Sequence, residues 1–132
     1  MKWVQTGSYL SGRDCVIRAI SIALKIPYDK VHIALMKEAN KYHSARYKVS
    51  KGCHFYVYTP FLEKKKWLYH TLLTCHTDNA EDHLPQGRLI ICTPGHLAAC
   101  VKHTIYDTWD SRTKGGKGKK ALRIFGYYKR EN

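Results

Sequence analysis

Between Asp14 and Lys25 the chain carries a single charge, Arg18, inside the segment DCVIRAISIALKI of residues 14–26. Apolar residues occupy nearly every other position, so a helix there has no polar face to turn to water. A helix apolar on all sides is buried on all sides, and the remaining chain must surround it. Asp14 suits the N-cap, with Ser11 as its competitor. Pro27 stops the helix. Cys15 therefore falls in its first turn.

The elements that surround this helix are read from periodicity. Residues 28–43 place Val31, Ala34, Leu35, Ala39 and Tyr42 at helical spacing, with lysines elsewhere, which predicts a surface helix. Residues 44–52 read as a basic loop. Tyr58, Phe61 and Leu62 suggest a short helix, with Pro60 tolerable only near its first turn. A strand or loop begins at Trp67, and residues 76–87 are a polar connection. The last third changes period. Residues 88–93, RLIICT, form a short buried strand bounded by Pro94-Gly95. Residues 96–102 and 105–109 form a hairpin, 112–120 a basic glycine-rich loop, and 121–128 a final strand. Helices first and an antiparallel sheet afterwards make an α+β chain. The buried N-terminal helix and the surface helices pack on that C-terminal antiparallel sheet. The 132 residues are enough for one domain with one core, spanning 1–132.

Composition limits the function classes. No apolar run approaches the roughly 20 residues of a bilayer span, so no membrane partner is expected. The N-terminal segment MKWVQT lacks the apolar stretch of a signal peptide, which places the protein in the cytoplasm. Five cysteines, an odd number without a secretion signal, read as reduced thiols. The 23 Lys and Arg outnumber the 10 Asp and Glu, a net charge of +13 that attracts polyanions. Lys64, Lys65 and Lys66, then Lys114, Lys117, Lys119 and Lys120, are the candidate nucleic-acid contacts. Tyr42, Tyr47, Tyr69, Tyr127 and Tyr128 interleave with the basic stretches. Cys53-His54 and Cys75-His76 carry metal-ligand chemistry, but adjacent ligands depart from the usual zinc spacing, and no metal is expected.

Chemistry is concentrated elsewhere. A helix N-terminus favours the thiolate of Cys15, and its backbone N–H points outward, able to stabilise an oxyanion. Asp14, one residue earlier, opposes that thiolate by like charge. His96 follows Pro94-Gly95 and opens an apolar strand. Strand parity selects its carboxylate. A hairpin loop with an even number of residues brings Asp107 to the face of His96, and an odd loop brings Asp110 instead. Two-residue loops are commonest, which favours Asp107, as when Val101 pairs with Thr104. Trp109 then shields the His–Asp bond from water. The expected triad is Cys15 as nucleophile, His96 as base and Asp107 as the orienting carboxylate.

Asp14-Cys15-Val16-Ile17-Arg18-Ala19-Ile20 resembles the nucleophile segment of ovarian-tumour-type deubiquitinases. Gly95-His96 followed by Asp107-Thr108-Trp109 resembles the His and Asn-Ser-Trp elements of papain, with Asp in place of Asn. The Cys, His, Asp order is similar to that of bacteriocin-leader peptidases and of small papain-like proteins encoded by bacteriophages and bacteria. The resemblance implies a papain-like cysteine hydrolase acting on a peptide, isopeptide or related acyl bond, without cofactor, in virus–host conflict. It also implies a glutamine that completes the oxyanion hole. Gln5 is the one upstream glutamine, with Ser8, Ser11 or Arg13 as substitutes, and Gly12 stands where the deubiquitinases carry an Asp. The partner is then a protein or peptide substrate. The competing reading is a papain-like scaffold without turnover that binds nucleic acid or protein through its basic surface.

Overall fold

In the computed structural model, which describes residues 1–7, 13–44, 46–116 and 120–132, three helices pack on a six-stranded mixed sheet. The strands are β1 (Lys2–Gln5), β2 (Trp67–Thr71), β3 (Arg88–Thr93), β4 (His96–Val101), β5 (Thr104–Asp107) and β6 (Gly126–Arg130). Their order in the sheet is β1-β5-β4-β3-β6-β2. The helices are α1 (Cys15–Leu24), α2 (Tyr28–Ala39) and α3 (Phe55–Lys64). No described helix is long and apolar enough to cross a membrane.

α1 takes the central place its composition requires. Val16, Ile17, Ala19, Ile20 and Ala23 are buried and pack with Val31 and Leu35 of α2, Val57, Phe61 and Leu62 of α3, and Ile90, Leu97 and Ala99 of the sheet. Its last carbonyls would be orphaned in that setting. Arg88 at the start of β3 supplies the donors, Nε to Ala23 O at 2.8 Å and a second guanidinium nitrogen to Ile22 O. A cation at a helix C-terminus also opposes the negative end of the helix dipole.

Alternate residues of the central strands face two cores. Ile90, Leu97 and Ala99 meet the helices, while Leu89, Ile91, Ala98, Cys100 and Ile105 join Cys75, Ala80, Leu84 and Ile124 on the other side. Burial on both faces explains why 88–93 reads as a continuous apolar run rather than an alternating one. The polar connection 76–87 thus covers the second face with Ala80 and Leu84.

The sheet departs from the expected antiparallel one in one pairing. β1 joins β5 in parallel, with Lys2 opposite Thr104 and Gln5 opposite Asp107. Only one of the four β1 residues is even half-buried, so this edge strand has no hydrophobic period to read. Pro60 also differs, lying inside α3 rather than in its first turn. The burial of Val57, Phe61 and Leu62 holds the helix together despite the N–H that proline lacks. α2 ends at Ala39, and the expected loop 44–52 contains a 3₁₀ turn at Val49–Lys51. Asp14 occupies the cap position of α1 but makes no side-chain capping bond, because its carboxylate is engaged elsewhere. Ser11, its competitor, lies outside the described residues.

The β4–β5 hairpin has the two-residue loop that parity favoured. Val101 pairs with Thr104, Cys100 with Ile105 and Ala99 with Tyr106. Both loop residues, Lys102 and His103, have positive φ (50° and 60°), the handedness of the primed turns that match strand twist. His103 gains a contact there, its Nε2 lying 3.1 Å from Leu84 O.

One glycine fixes the spacing of the other sheet edge. A Cβ on Gly126 would lie 2.4 Å from the Tyr69 ring and 2.5 Å from His70 O. Tyr69 can swing, but the His70 carbonyl belongs to the β2–β6 ladder and cannot. Gly126→Ala is expected to destabilise the protein by about 1–3 kcal/mol, the usual cost of overpacking. Urea unfolding should show a lower midpoint with an unchanged slope.

Candidate active site

α1, β4 and the end of β5 deliver three side chains to one point. The Cys15 thiol at the first helical position and His96 at the first position of β4 line the same cavity, near enough that the imidazole lowers the thiol. His96 Nε2 lies 2.5 Å from Asp107 Oδ2 at the last position of β5. With Nε2 committed to the carboxylate, Nδ1 is the ring nitrogen left for sulfur. The Trp109 ring sits over the imidazole at 4.9 Å between centroids. Cys15, His96 and Asp107 are thus brought together in the order Cys–His–Asp, with the Trp109 ring beside the imidazole.

Asp107 is fully buried and heavily satisfied. Its Oδ1 accepts from Arg18 Nη1 at 2.7 Å and from the Thr108 N–H at 2.8 Å. Its Oδ2 accepts from Ser111 Oγ at 2.8 Å besides facing His96. A buried carboxylate with this many donors is held ionised and in one orientation. Arg18 also bonds Asp14, Nε to Oδ1 at 2.7 Å, and Tyr28 OH donates to Asp14 Oδ2 at 2.6 Å. The lone charge of α1 therefore ties the helix N-terminus to the carboxylate of the triad.

Sequence reading missed Arg18, Tyr28 and Ser111. For Arg18 a signal existed. A guanidinium on an otherwise apolar helix has to be paired, and Asp14 stands four residues before it. The link to Asp107 spans 89 positions and Ser111 lies in an irregular segment, so neither had a local signature. Arg18 and Tyr28 occupy the carboxylate of Asp14, and the charge of Arg18 adds to the stabilisation of the thiolate.

The protonation states follow from these contacts. Burial alone would push the Cys15 thiol up, but the hydrogen bond and charge of His96 outweigh it and bring the thiol below its ordinary value. Burial would lower the His96 imidazolium, yet its bonds to Asp107 and Cys15 raise it to about 9. Burial would raise Asp107, and the hydrogen bond and charge of His96, followed by Arg18 and Ser111, hold it below the ordinary carboxylate value. Nearby thiols behave oppositely. Burial pushes Cys53, Cys92 and Cys100 up to about 12, with the charge of Cys15 adding to the shift at Cys53. Among the cysteines with a shifted thiol, only Cys15 is moved toward the thiolate.

The site opens on a cavity of about 980 Å³. Cys15, Val16, His96, Leu97 and Trp109 line one side. Tyr47, Gly52, Cys53, His54, Phe55 and Tyr58 line it from the segment before and within α3. Asp110 is held by Arg112 through two 2.8 Å bonds and does not face His96. Gln5 is exposed at the end of β1 and does not line the cavity, whereas Arg13 does. Ser8, Ser11 and Gly12 lie outside the described residues. Lys64 pairs with Glu38 at 2.5 Å, Lys65 lies over the Phe61 ring, and Lys66 has a positive φ of 64°. Lys114 opens a 3₁₀ turn, Lys120 is exposed, and Lys117 and Lys119 lie outside the described residues. Among the described residues no three His, Cys, Asp or Glu groups are arranged to hold a metal ion.

Comparison with known proteins found no matching family model, no matching curated protein and no matching solved structure.

Arg18 carries a direct test. Arg18→Met would leave Asp14 and Asp107 buried without their cation, and breaking a buried pair by removing one partner costs about 3–5 kcal/mol. The pH dependence has a definite sign. Asp107 is depressed when folded, so its stabilisation is present above its ordinary value of 3.8 and is lost as pH falls through the folded value. Without Arg18 that folded value rises. The acid-unfolding midpoint of Arg18→Met, followed by circular dichroism, should therefore lie at higher pH than that of the parent protein.

Proposed function

We propose that the protein is a papain-like cysteine hydrolase that cleaves a peptide, isopeptide or related acyl bond. One observation carries this reading: Cys15 and His96 line one large cavity, with His96 bonded to buried Asp107, the thiol lowered and the imidazole raised. A structural cysteine has no need of a paired imidazolium. Its burial would instead raise it, as at Cys92 and Cys100.

The chemistry runs without a metal or organic cofactor. The Cys15 thiolate adds to the substrate carbonyl, and the carbonyl electron pair moves onto oxygen. The N–H groups of the first turn of α1, which have no partner within the helix, face that developing charge. Collapse breaks the C–N bond, and the departing amine takes the proton from His96. His96, now neutral, removes a proton from water as the water oxygen attacks the thioester. Expulsion of sulfur gives the acid product and restores the thiolate beside the imidazolium. Asp107 keeps the ring oriented throughout and stabilises its charge.

Iodoacetamide alkylation with mass-spectrometric site assignment tests the reading. Cys15 should react far faster than Cys92 at neutral pH. Its rate should rise along an acid limb below the ordinary thiol value of 9.0, level off, and change again near pH 9 as His96 loses its proton. In His96→Ala the plateau should vanish, and the single inflection should move up because burial of the thiol is then opposed only by the Leu97 backbone and the charge of Arg18. Asp107→Asn, the residue type of papain, removes the charge that raises His96, so the second inflection should move below about pH 9. Equal reactivity of Cys15 and Cys92 would leave the basic scaffold without turnover as the surviving function.

A further inference from the structure

We infer that the Cys15 cavity recognises an acidic peptide, whose carboxylates are held by Arg46, Lys48 and Lys51; as a statement about substrate this rests on the hydrolase reading. The three cations stand on the segment between α2 and α3, opposite the triad, and all three line the cavity. Arg13 lines it beside Cys15. No Asp or Glu lines it among the described residues.

The placement of acids elsewhere makes this asymmetry informative. Glu38 neutralises Lys41 and Lys64, Asp110 neutralises Arg112, and Asp14 and Asp107 neutralise Arg18. No described carboxylate pairs with the side chain of Arg46, Lys48 or Lys51. They are exposed, so their charge reaches into the cavity.

The wall that bears them is held in place. Tyr47 OH accepts the His54 N–H at 3.0 Å, tying the middle of the segment to its end at α3. Tyr47 stacks on His43 at 4.1 Å, and His54 stacks on Tyr56 at 5.4 Å. Val49, fully buried beneath, anchors it to the core. Cations on an anchored wall facing a nucleophile select for negative charge near the scissile bond and speed the approach of acidic substrates. The apolar surfaces of Phe55, Tyr58 and Trp109 suit peptide side chains between those charges.

The experiment uses two chloromethyl ketone peptides of one sequence, differing by Glu against Gln at three positions. Each exposed ion pair contributes up to about fivefold, so the Glu peptide should label Cys15 about tenfold faster. The advantage should shrink in added salt. It should collapse in R46A/K48A/K51A and persist in K2A/K30A/K37A, which removes the same charge away from the cavity. Equal rates for the two peptides, or equal loss in both variants, would overturn the inference. A phosphoserine peptide that exceeds the Glu peptide would support it and assign the anion as phosphate. An oligothymidylate that blocks labelling at lower concentration than the Glu peptide amide would overturn it in favour of nucleic acid. Binding of the Glu and Gln peptide amides to Cys15→Ala, read by calorimetry, measures the same preference without the thiol. A preference there alongside an unreactive Cys15 would sink the hydrolase and keep the acidic ligand, while a reactive Cys15 without a preference would do the reverse.

Discussion

Arg18 bridges two carboxylates that the chain brings from opposite ends of the fold, Asp14 at the head of α1 and Asp107 at the end of β5. The guanidinium and both carboxylates are buried, so each charge depends on the others for its solvation. An ion triad of this kind adds little net stability, because desolvation consumes most of the attraction. What it fixes is position. The fork of the guanidinium is planar and rigid, and two of its nitrogens are committed at 2.7 Å. The first turn of α1 therefore cannot rotate or slide relative to β5 without breaking a buried pair. Cys15 lies beside Asp14 and His96 lies against Asp107, so the same lock sets the thiol before the imidazole.

That arrangement separates two demands that usually conflict. Packing wants the first turn of α1 buried, and Val16 and Ile17 meet that demand. Chemistry wants an ionised sulfur there, which burial opposes. The conflict is resolved by charge order: a buried acid, a cation, a second acid, an imidazole raised by that acid and a thiol lowered beside it. Tyr28, Ser111 and the Thr108 N–H fill the lone pairs that remain on the two acids. Moving away from that series, burial again dominates, and Cys53, Cys92 and Cys100 stay protonated.

How far the sequence could be read follows from where each signal is stored. The burial of α1 was legible because composition alone left no polar face. Asp107 was preferred to Asp110 because side chains alternate in a strand and two-residue turns dominate hairpins, a local argument that needs no tertiary knowledge. It held even though Lys102-His103 carries none of the usual glycine or asparagine signals for a turn with positive φ. β1 was illegible for the opposite reason. It is an edge strand of four residues, half-buried at only one of them, and its parallel partner lies a hundred positions away. Gln5 illustrates the same limit. A glutamine farther before the cysteine than is typical was the one upstream candidate for an oxyanion donor, and its place at the sheet edge, opposite Asp107, is decided by a pairing that local sequence does not encode.

The proton balance of the thiol and imidazole explains how such a pair can persist across neutral pH. His96 rises from its ordinary 6.5 to about 9, so its stabilisation is complete below 6.5 and is lost as pH rises through about 9. Cys15 falls from its ordinary 9.0, so its stabilisation is present above 9.0 and is lost as pH falls through the folded value. Between those limits folding adds one proton at the imidazole and removes one from the thiol. Where the two windows overlap, below about pH 9, the slopes have opposite sign and cancel. A thiolate held only by a fixed cation such as Arg18 would lack this compensation, and folding would then favour alkaline conditions. Pairing with a group that itself titrates lowers the thiol without tilting the stability of the fold toward alkaline pH.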